Sequence, residues 1–330
     1  MKAHLLALAA IVAIGITIAL GMHDPVALDL VFAVLLWAVL GQSWNWVSGY
    51  GGDVSFGHAI FFACGAYAAA LATVSWHVSP WLAVPAAIVA AVALAWIVGY
   101  PTLGLRGHYF SIATIAVAAI VDAVVRTQPW LGRANGFQLP IANGFANLQF
   151  ADKGPYVLTA LALFAIVQLA TIALGRSRLG YYLRALRANH EAAAALGIDE
   201  RRWKLLAFSI SAAFASLGGV LFAQYTLFVD PPSTLDISIS VDMALVGVIG
   251  GLGTIWGPTV GAIVFVALAK YLALQLGGTG KGYDLILYGA IIVLIATLRP
   301  RGVVGTIIDR IRRRQAAVST PSARGQVGRP

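Results

Sequence analysis

The sequence predicts an all-α fold: a polytopic transmembrane helix bundle of about ten spans, with some helices broken by glycine-rich stretches. Three observations lead there. Hydrophobic residues fill 60% of the 330 positions and charged residues 11%, for a mean hydropathy of +0.84. A soluble domain of this length needs far more charge to cover its surface. The apolar residues also fall in long blocks, such as 5–20, 84–98 and 157–174, close to the ~20 residues that cross ~30 Å of hydrocarbon as a helix. They do not alternate with polar residues as barrel strands do. Finally, the formal charge of +9 is clustered beside apolar blocks, with seven of the 22 Lys and Arg in 176–204 and eight in 299–330. That pattern marks segments held in the cytoplasm. It gives no basic face with a reading element, so nucleic acid is not an expected partner.

Taken in order, the spans fall near 5–22, 26–48, 55–75, 80–99, 109–125, 155–175, 204–225, 239–254, 258–276 and 283–299. An even number places both termini on one side of the membrane. Starting from the cytoplasm, the connection 100–108, with Arg106, and the basic segment 176–204 fall inside. The longest loop, 126–154, falls outside with only Arg126, Arg133 and Lys153. The first block is too long for the apolar core of a secretory signal, and no small-residue cleavage site precedes His23-Asp24-Pro25, so it reads as an uncleaved span. The membrane domain is thus 1–309. Residues 310–330 form a basic tail expected to be disordered, its first arginines touching anionic lipid headgroups.

Two stretches resist a simple helix reading. One runs from Ser48 through Gly51, Gly52, Asp53, Ser55 and Gly57 to His58; the other runs from Gly247 through Gly250, Gly251 and Gly253 to Gly257 and Pro258. Irregular backbone at membrane depth is tolerated where it is packed in protein or lines a cavity, and breaks in both halves of a transporter mark its pathway. Glycines also simply let helices pack closely, and the two readings are compatible. Asp122 and Asp242 lie within or close to spans, where ionisable groups are costly. Asp242 reads either as a span-end residue facing water or the bundle interior, or as a polar contact near the pathway.

Familiar catalytic chemistry is missing. Gly278-Thr279-Gly280-Lys281-Gly282 resembles a phosphate loop, but position 275 is Gln and Gly282 stands where a Ser or Thr must hold magnesium. Gly251, Gly253 and Gly257 have the wrong spacing for a dinucleotide fingerprint. The six histidines show no metal spacing, and the lone Cys64 allows no disulfide within the chain. No catalytic residue, cofactor or metal is expected.

The segment 176–204 is the most informative. Ser177 suits a helix N-cap and Gly197 a stop, for a helix around 179–196. Leu183, Leu186, His190 and Ala193 recur on one side, with Arg184, Arg187 and Glu191 on another. Such a helix suits either a groove on a cytoplasmic partner or an anionic lipid surface.

Motifs decide between these. Glu191-Ala192-Ala193 followed by Gly197 matches the EAA-x3-G signature of ABC-importer permeases, and the flanking Arg184-Ala185-Leu186-Arg187-Ala188-Asn189 resembles the Liv-type, branched-chain amino-acid version of that loop. Gly49-Tyr50-Gly51-Gly52 with Ser55-Phe56-Gly57-His58, Leu105 to Phe110, Asn135-Gly136-Phe137, and Gly250-Gly251-Leu252-Gly253 with Gly257-Pro258 follow in family order. The resemblance spans about residues 35 to 300; the Leu-Pro that closes the general EAA signature is missing, as is usual in the Liv-type branch.

The resemblance implies a permease subunit, not an enzyme. Its implied partners are a second homologous permease subunit, two cytoplasmic ATP-binding subunits and a periplasmic substrate-binding protein. Carried onto this chain, Arg184, Leu186, Arg187, Glu191, Ala192 and Gly197 would couple to the ATPase, and Asn135 and Gly136 would lie in the loop that receives the binding protein. Gly51, Gly52, Ser55, Gly57, His58, Asp242, Gly250, Gly251, Gly253 and Pro258 are the pathway and broken-helix candidates. The implied cargo is a branched-chain or related aliphatic amino acid. A urea or short-amide permease is the alternative within the class, and an ion-coupled carrier using Asp122 or Asp242 the alternative outside it.

Overall fold

A computed structural model describes residues 2–105 and 107–276, together with positions 289 and 302. The expected span 283–299, the phosphate-loop lookalike 278–282, the tail 310–330 and Arg106 lie outside the described residues.

The fold is the expected helix bundle. Its elements are α1 (Lys2–Gly21), α2 (Pro25–Trp44), α3 (Ala59–Ala70), α4 (Pro80–Thr102), α5 (His108–Thr127) and α6 (Gly154–Leu174). These are followed by α7 (Arg178–Ala188), α8 (His190–Ala195), α9 (Glu200–Thr226), α10 (Pro231–Thr234), α11 (Ile237–Gly250) and α12 (Gly257–Leu276). Among the described residues, seven helical stretches are long and apolar enough to cross a membrane, and two shorter apolar ones, Ala59–Ser75 and Gly257–Tyr271, complete the set. Each of the nine spans expected within this region has its helix.

Local sequence explains where the helices start. Asp24 precedes Pro25 and accepts from the Val26 N–H at 3.0 Å; Asp199 does the same for Arg202 at 3.1 Å. Small residues then set the packing. The ideal Cβ positions of Gly65 on α3 and Gly219 on α9 would lie 1.8 and 1.9 Å from backbone oxygens of the facing helix, so these two helices meet backbone to backbone. Buried Ala87, Ala91 and Ala95 line one face of α4, which packs on α9. The most apolar stretches of the long spans α9 and α2 are 67% and 56% buried, and the shorter α3 is buried along nearly its whole length; α1, at 17%, packs on α6 at the margin. The centre of the molecule is therefore α2, α3 and α9.

Alternating helices place the connections on two faces. One face carries the N-terminus, the ends of α2 and α4, the α7–α8 segment and the α11–α12 connection. The other carries the 128–153 loop, the α3–α4 connection and the end of α9, tied together by Trp81 Nε1 on the Phe145 carbonyl and by a short antiparallel ribbon, β1 (Phe137–Gln138) with β2 (Phe228–Val229). The ribbon is an addition to the all-helical expectation, built where two loops of the same face meet.

Three local expectations are corrected. The helix expected over 179–196 is two helices, because Asn189 takes an extended conformation (φ −161°, ψ 107°) and caps α8 by accepting from the Ala192 N–H at 3.0 Å. The first break begins at Gly52, not Ser48, since α2 continues as a π-helical turn over Asn45–Gly51. The second begins at Gly251, so the span expected to reach 254 stops at Gly250, and Pro258 sits in the first turn of α12, where its missing N–H leaves no bond unmade.

Candidate functional site

Both breaks lie on the same face as α7 and α8, and polar side chains gather around them. After Gly52, residues 53–58 run without regular structure before α3 begins. Helices α2 and α5 both supply partners to this strip. Trp44 Nε1 donates to the Ser55 carbonyl at 2.7 Å, Ser111 Oγ to the Val54 carbonyl at 2.6 Å, and Thr114 Oγ1 accepts from the Phe56 N–H at 3.1 Å. The N-terminus of α3 has no side-chain cap of its own; Ser240 Oγ of α11 accepts from the Ala59 N–H at 2.9 Å instead. This network meets the requirement that buried backbone in a membrane protein find protein partners.

His58 is fully buried at the strip's end, with Nδ1 2.9 Å from Ser55 Oγ and Nε2 2.9 Å from Ser211 Oγ. Ser211 spends its one proton on the Ser43 carbonyl at 2.6 Å, so His58 Nε2 donates to Ser211 and Nδ1 accepts from Ser55. The imidazole thus bridges the strip to α9 and, through Ser211, to α2. Its surroundings are Phe61 and Phe208, both edge-on to the ring, and no metal-binding cluster occurs among the described residues.

The second break is held to the π-helical turn that precedes the first by the side chain of Asn45. Asn45 accepts from the Gly253 N–H at 2.8 Å and donates to the Thr254 carbonyl at 3.1 Å, so a single amide holds both turns of the break. Gln168 of α6 donates to the Ile255 carbonyl at 2.8 Å, and Trp256 Nε1 donates to His4 at 3.0 Å. The approach requires glycine at two points. A Cβ on Gly49 would lie 2.6 Å from the Gly253 nitrogen, and Gly253 itself has φ +71°. Around this crossing, side-chain oxygens of Gln42, Tyr50 and Gln168 are buried without a hydrogen-bond partner among the described residues.

The α7–α8 pair leans on the crossing. Leu179 and Leu183 of α7 join Trp46, Tyr50 and Leu174 in an apolar cluster separate from the main core. From α7, Arg187 extends its guanidinium to the Gly49 carbonyl, its stem over Gly52 and one Nη close to Gly253. A second tie follows at the start of α9, where Lys204 Nζ lies 2.5 Å from Asp53 and 2.8 Å from Glu200. Burial pushes the Asp53 carboxyl above its ordinary value, and the Lys204 ammonium beside it opposes that rise. The first break is thus tied to α7 through Arg187 and to the start of α9 through Lys204, and the second meets Arg187 and Asn45.

Comparison with known proteins identifies the chain. The family described as the permease component of the branched-chain amino acid transport system matches residues 26–296. The chain belongs to this family. Among curated relatives, the high-affinity branched-chain amino acid transport system permease protein LivM of Escherichia coli (strain K12) is 29% identical over 325 residues, covering 89% of this chain and 74% of that protein. LivM of Salmonella typhimurium is 29% identical over 305 residues, with 84% and 69% covered, and LivH of the same organism is 25% identical over 290 residues, with 82% and 91% covered. No solved structure matches.

Within this Liv-type ABC permease, the sequence-selected residues separate by position. Glu191, Ala192 and Gly197 are exposed on α8 and its C-terminal turn, and Leu196 between them is 82% exposed. Arg184 donates to the Gly175 carbonyl at 3.0 Å and stacks on Tyr181. Leu186 is buried, and Arg187 points into the breaks. The pathway candidates Gly52, Ser55, Gly57, His58, Gly251 and Gly253 lie in the irregular strips, while Gly51 and Gly250 end helices and Pro258 starts one. Asp242 is half-buried in α11 and takes no hydrogen bond among the described residues; Asp122 pairs with Arg126 at 2.7 Å. Asn135 is exposed on the opposite face, but Gly136 is packed where a Cβ would meet the Val229 carbonyl, so it shapes the ribbon. Sequence reasoning missed Asn45, Gln168 and Ser240, and gave no role to Lys204 and Ser211, which only fit the family pattern. Polar residues inside apolar runs were the available signal.

Proposed function

We propose that this chain is a permease subunit of a bacterial ABC importer, moving branched-chain or related aliphatic amino acids across the inner membrane by ATP-driven alternating access. It pairs with a second homologous permease subunit, two cytoplasmic ATP-binding subunits hydrolyse the ATP, and a periplasmic substrate-binding protein delivers cargo to the 128–153 face. Family membership and the branched-chain amino acid transport systems of the LivM and LivH relatives support this reading. The charge distribution supports the sidedness: Arg176, Arg178, Arg184, Arg187, Arg201, Arg202 and Lys204 share the α7–α8 face, and only Arg133 and Lys153 fall in the 128–153 loop.

The observation that carries the mechanism is a pair of ties to the broken backbone, Arg187 from α7 and Lys204 from the start of α9, which follows α8 directly. An ATPase cleft that takes the exposed α8 surface at Glu191, Ala192 and Leu196 moves the helix pair as a body. Arg187 transfers that displacement to Gly49 at the end of α2, and Lys204 transfers it to Asp53. Asn45 passes it on to the α11–α12 connection. The inner ends of α2, α3, α11 and α12 then shift together, opening the polar crossing lined by Gln42, Tyr50 and Gln168 to one side of the membrane. The strips suit this role because hydrogen bonds, not helix geometry, hold their conformation.

Reconstitution in proteoliposomes with the partner subunits and binding protein tests the reading. Leucine uptake is expected only with hydrolysis-competent ATP-binding subunits. Uptake that persists with hydrolysis-dead subunits, or from the permease chain alone, would overturn it.

A further inference from the structure

The face opposite α7–α8 holds a cavity of about 510 Å³ between the ends of α2, α6 and α9. Its walls are apolar, with Phe32, Leu36, Trp37 and Phe222 among them, and its rim carries Asp29 and Lys153. Lys153 Nζ lies 2.5 Å from Asp29 Oδ2, and Tyr225 donates its hydroxyl proton to Asp29 Oδ1. The carboxylate is held in a fixed place. The Tyr225 ring stacks on Phe32 at 3.8 Å and meets the Tyr156 ring edge-on at 5.2 Å. Tyr156 in turn donates to the Gln224 carbonyl at 3.2 Å and accepts from the Phe150 N–H at 3.1 Å.

As a stabilising contact the ion pair does little, since both side chains are more than a third exposed (39% for Lys153, 36% for Asp29). Its chemistry is more specific than its energy. It sets an anion and a cation side by side above an apolar cavity of ligand-binding size. An α-amino acid presents the complement: an ammonium, a carboxylate and an aliphatic side chain on one carbon. We propose that this cavity receives a zwitterionic aliphatic amino acid, its ammonium on Asp29, its carboxylate on Lys153 and its side chain among Phe32, Leu36, Trp37 and Phe222. The proposal rests on the import reading above and locates a substrate contact for it. Opening the internal pair costs little because water already reaches both groups, and the bound zwitterion replaces each lost partner. Urea or a short amide, with neither charge, would leave both groups unpaired, so the site selects against that alternative cargo.

The test is binding of radiolabelled leucine to the purified complete permease–ATPase complex without the binding protein, with displacement by 3-methylbutylamine, 4-methylpentanoate and urea. The wild-type complex is expected to bind leucine at least tenfold more tightly than either singly charged analogue, with urea inert. Asp29→Asn should erase the preference for leucine over 4-methylpentanoate, and Lys153→Met the preference over 3-methylbutylamine. Ala33→Phe, which fills the cavity without changing charge, should weaken leucine binding more than alanine binding. A merely structural pair would leave the analogue ranking unchanged in all three variants, and that result overturns the site. Should a variant not assemble, Ala33→Phe and the wild-type ranking still decide. Failure of the import reading looks different: the wild-type complex would then take up no branched-chain amino acid with ATP and binding protein present. A complex that imports leucine yet shows no dependence of its binding on Asp29, Lys153 or Ala33 refutes the site alone.

Discussion

Asn45 shows how one side chain can organise two distant segments. It sits 208 residues from Gly253, and its amide satisfies both the N–H of Gly253 and the carbonyl of Thr254. Asn45→Ala would leave both groups without that partner, and we expect a loss of about 1–2 kcal/mol, measured as a lowered unfolding midpoint in detergent. Unchanged stability would mean that the two breaks are held independently. Asp53 gives a pH signature. Its carboxyl is raised above the ordinary 3.8, mainly by burial, against the pull of Lys204, with Glu200 pushing it further up. The folded state therefore holds this proton more tightly than the unfolded chain does. The group's contribution to stability is full below the unfolded value and is lost as pH rises through the raised one. Melting curves from pH 3 to 7 should show Asp53→Asn removing part of that acid-side slope; an identical slope would contradict the assignment. Little of this network was legible in the sequence. Ser55, His58 and Gly253 stood out because they interrupt apolar runs, but their partners Ser211, Ser240 and Asn45 lie inside predicted spans, and only folding brings them within reach.

At the scale of elements, the α7–α8 pair divides its labour between two surfaces. Leu183 and Leu186 face inward and Arg187 reaches the breaks, while Glu191, Ala192 and Leu196 face solvent. Glu191→Arg is expected to cut co-purification of the ATP-binding subunits at least fivefold with the melting temperature nearly unchanged, and uptake should fall with it. Undiminished co-purification would remove α8 from the docking surface. The periodicity of 179–196 revealed the buried stripe but not the division into two helices, because Asn189 is also acceptable in a helix interior and its extended backbone depends on capping α8. The starts of the breaks were misplaced for a related reason. Glycine at 49 and 51 suggested irregular chain, yet the π-helical turn keeps hydrogen bonding through both and puts the true end at Gly52.

For the whole molecule, hydropathy and charge were enough to read the fold. Apolar blocks of spanning length anticipated the nine helices found among the described residues, and the basic cluster of 176–204 falls on the α7–α8 face. What they could not give is which helices form the centre, since α1 and α9 are both apolar yet one is peripheral and the other enclosed. That difference comes from Gly65, Gly219 and the alanine stripe of α4, whose value lies in a partner's shape. The architecture that results joins the exposed α8 surface to two breaks in the bundle by short, polar ties. On the proposed import reading, energy that enters at α8 reaches the two breaks through these ties. The most direct measurement of that claim is the ratio of uptake to ATP hydrolysis in the reconstituted importer carrying Arg187→Ala. The assembled complex should still hydrolyse ATP near the wild-type rate while leucine uptake falls at least tenfold; a wild-type ratio of uptake to hydrolysis would rule out Arg187 as the coupling tie.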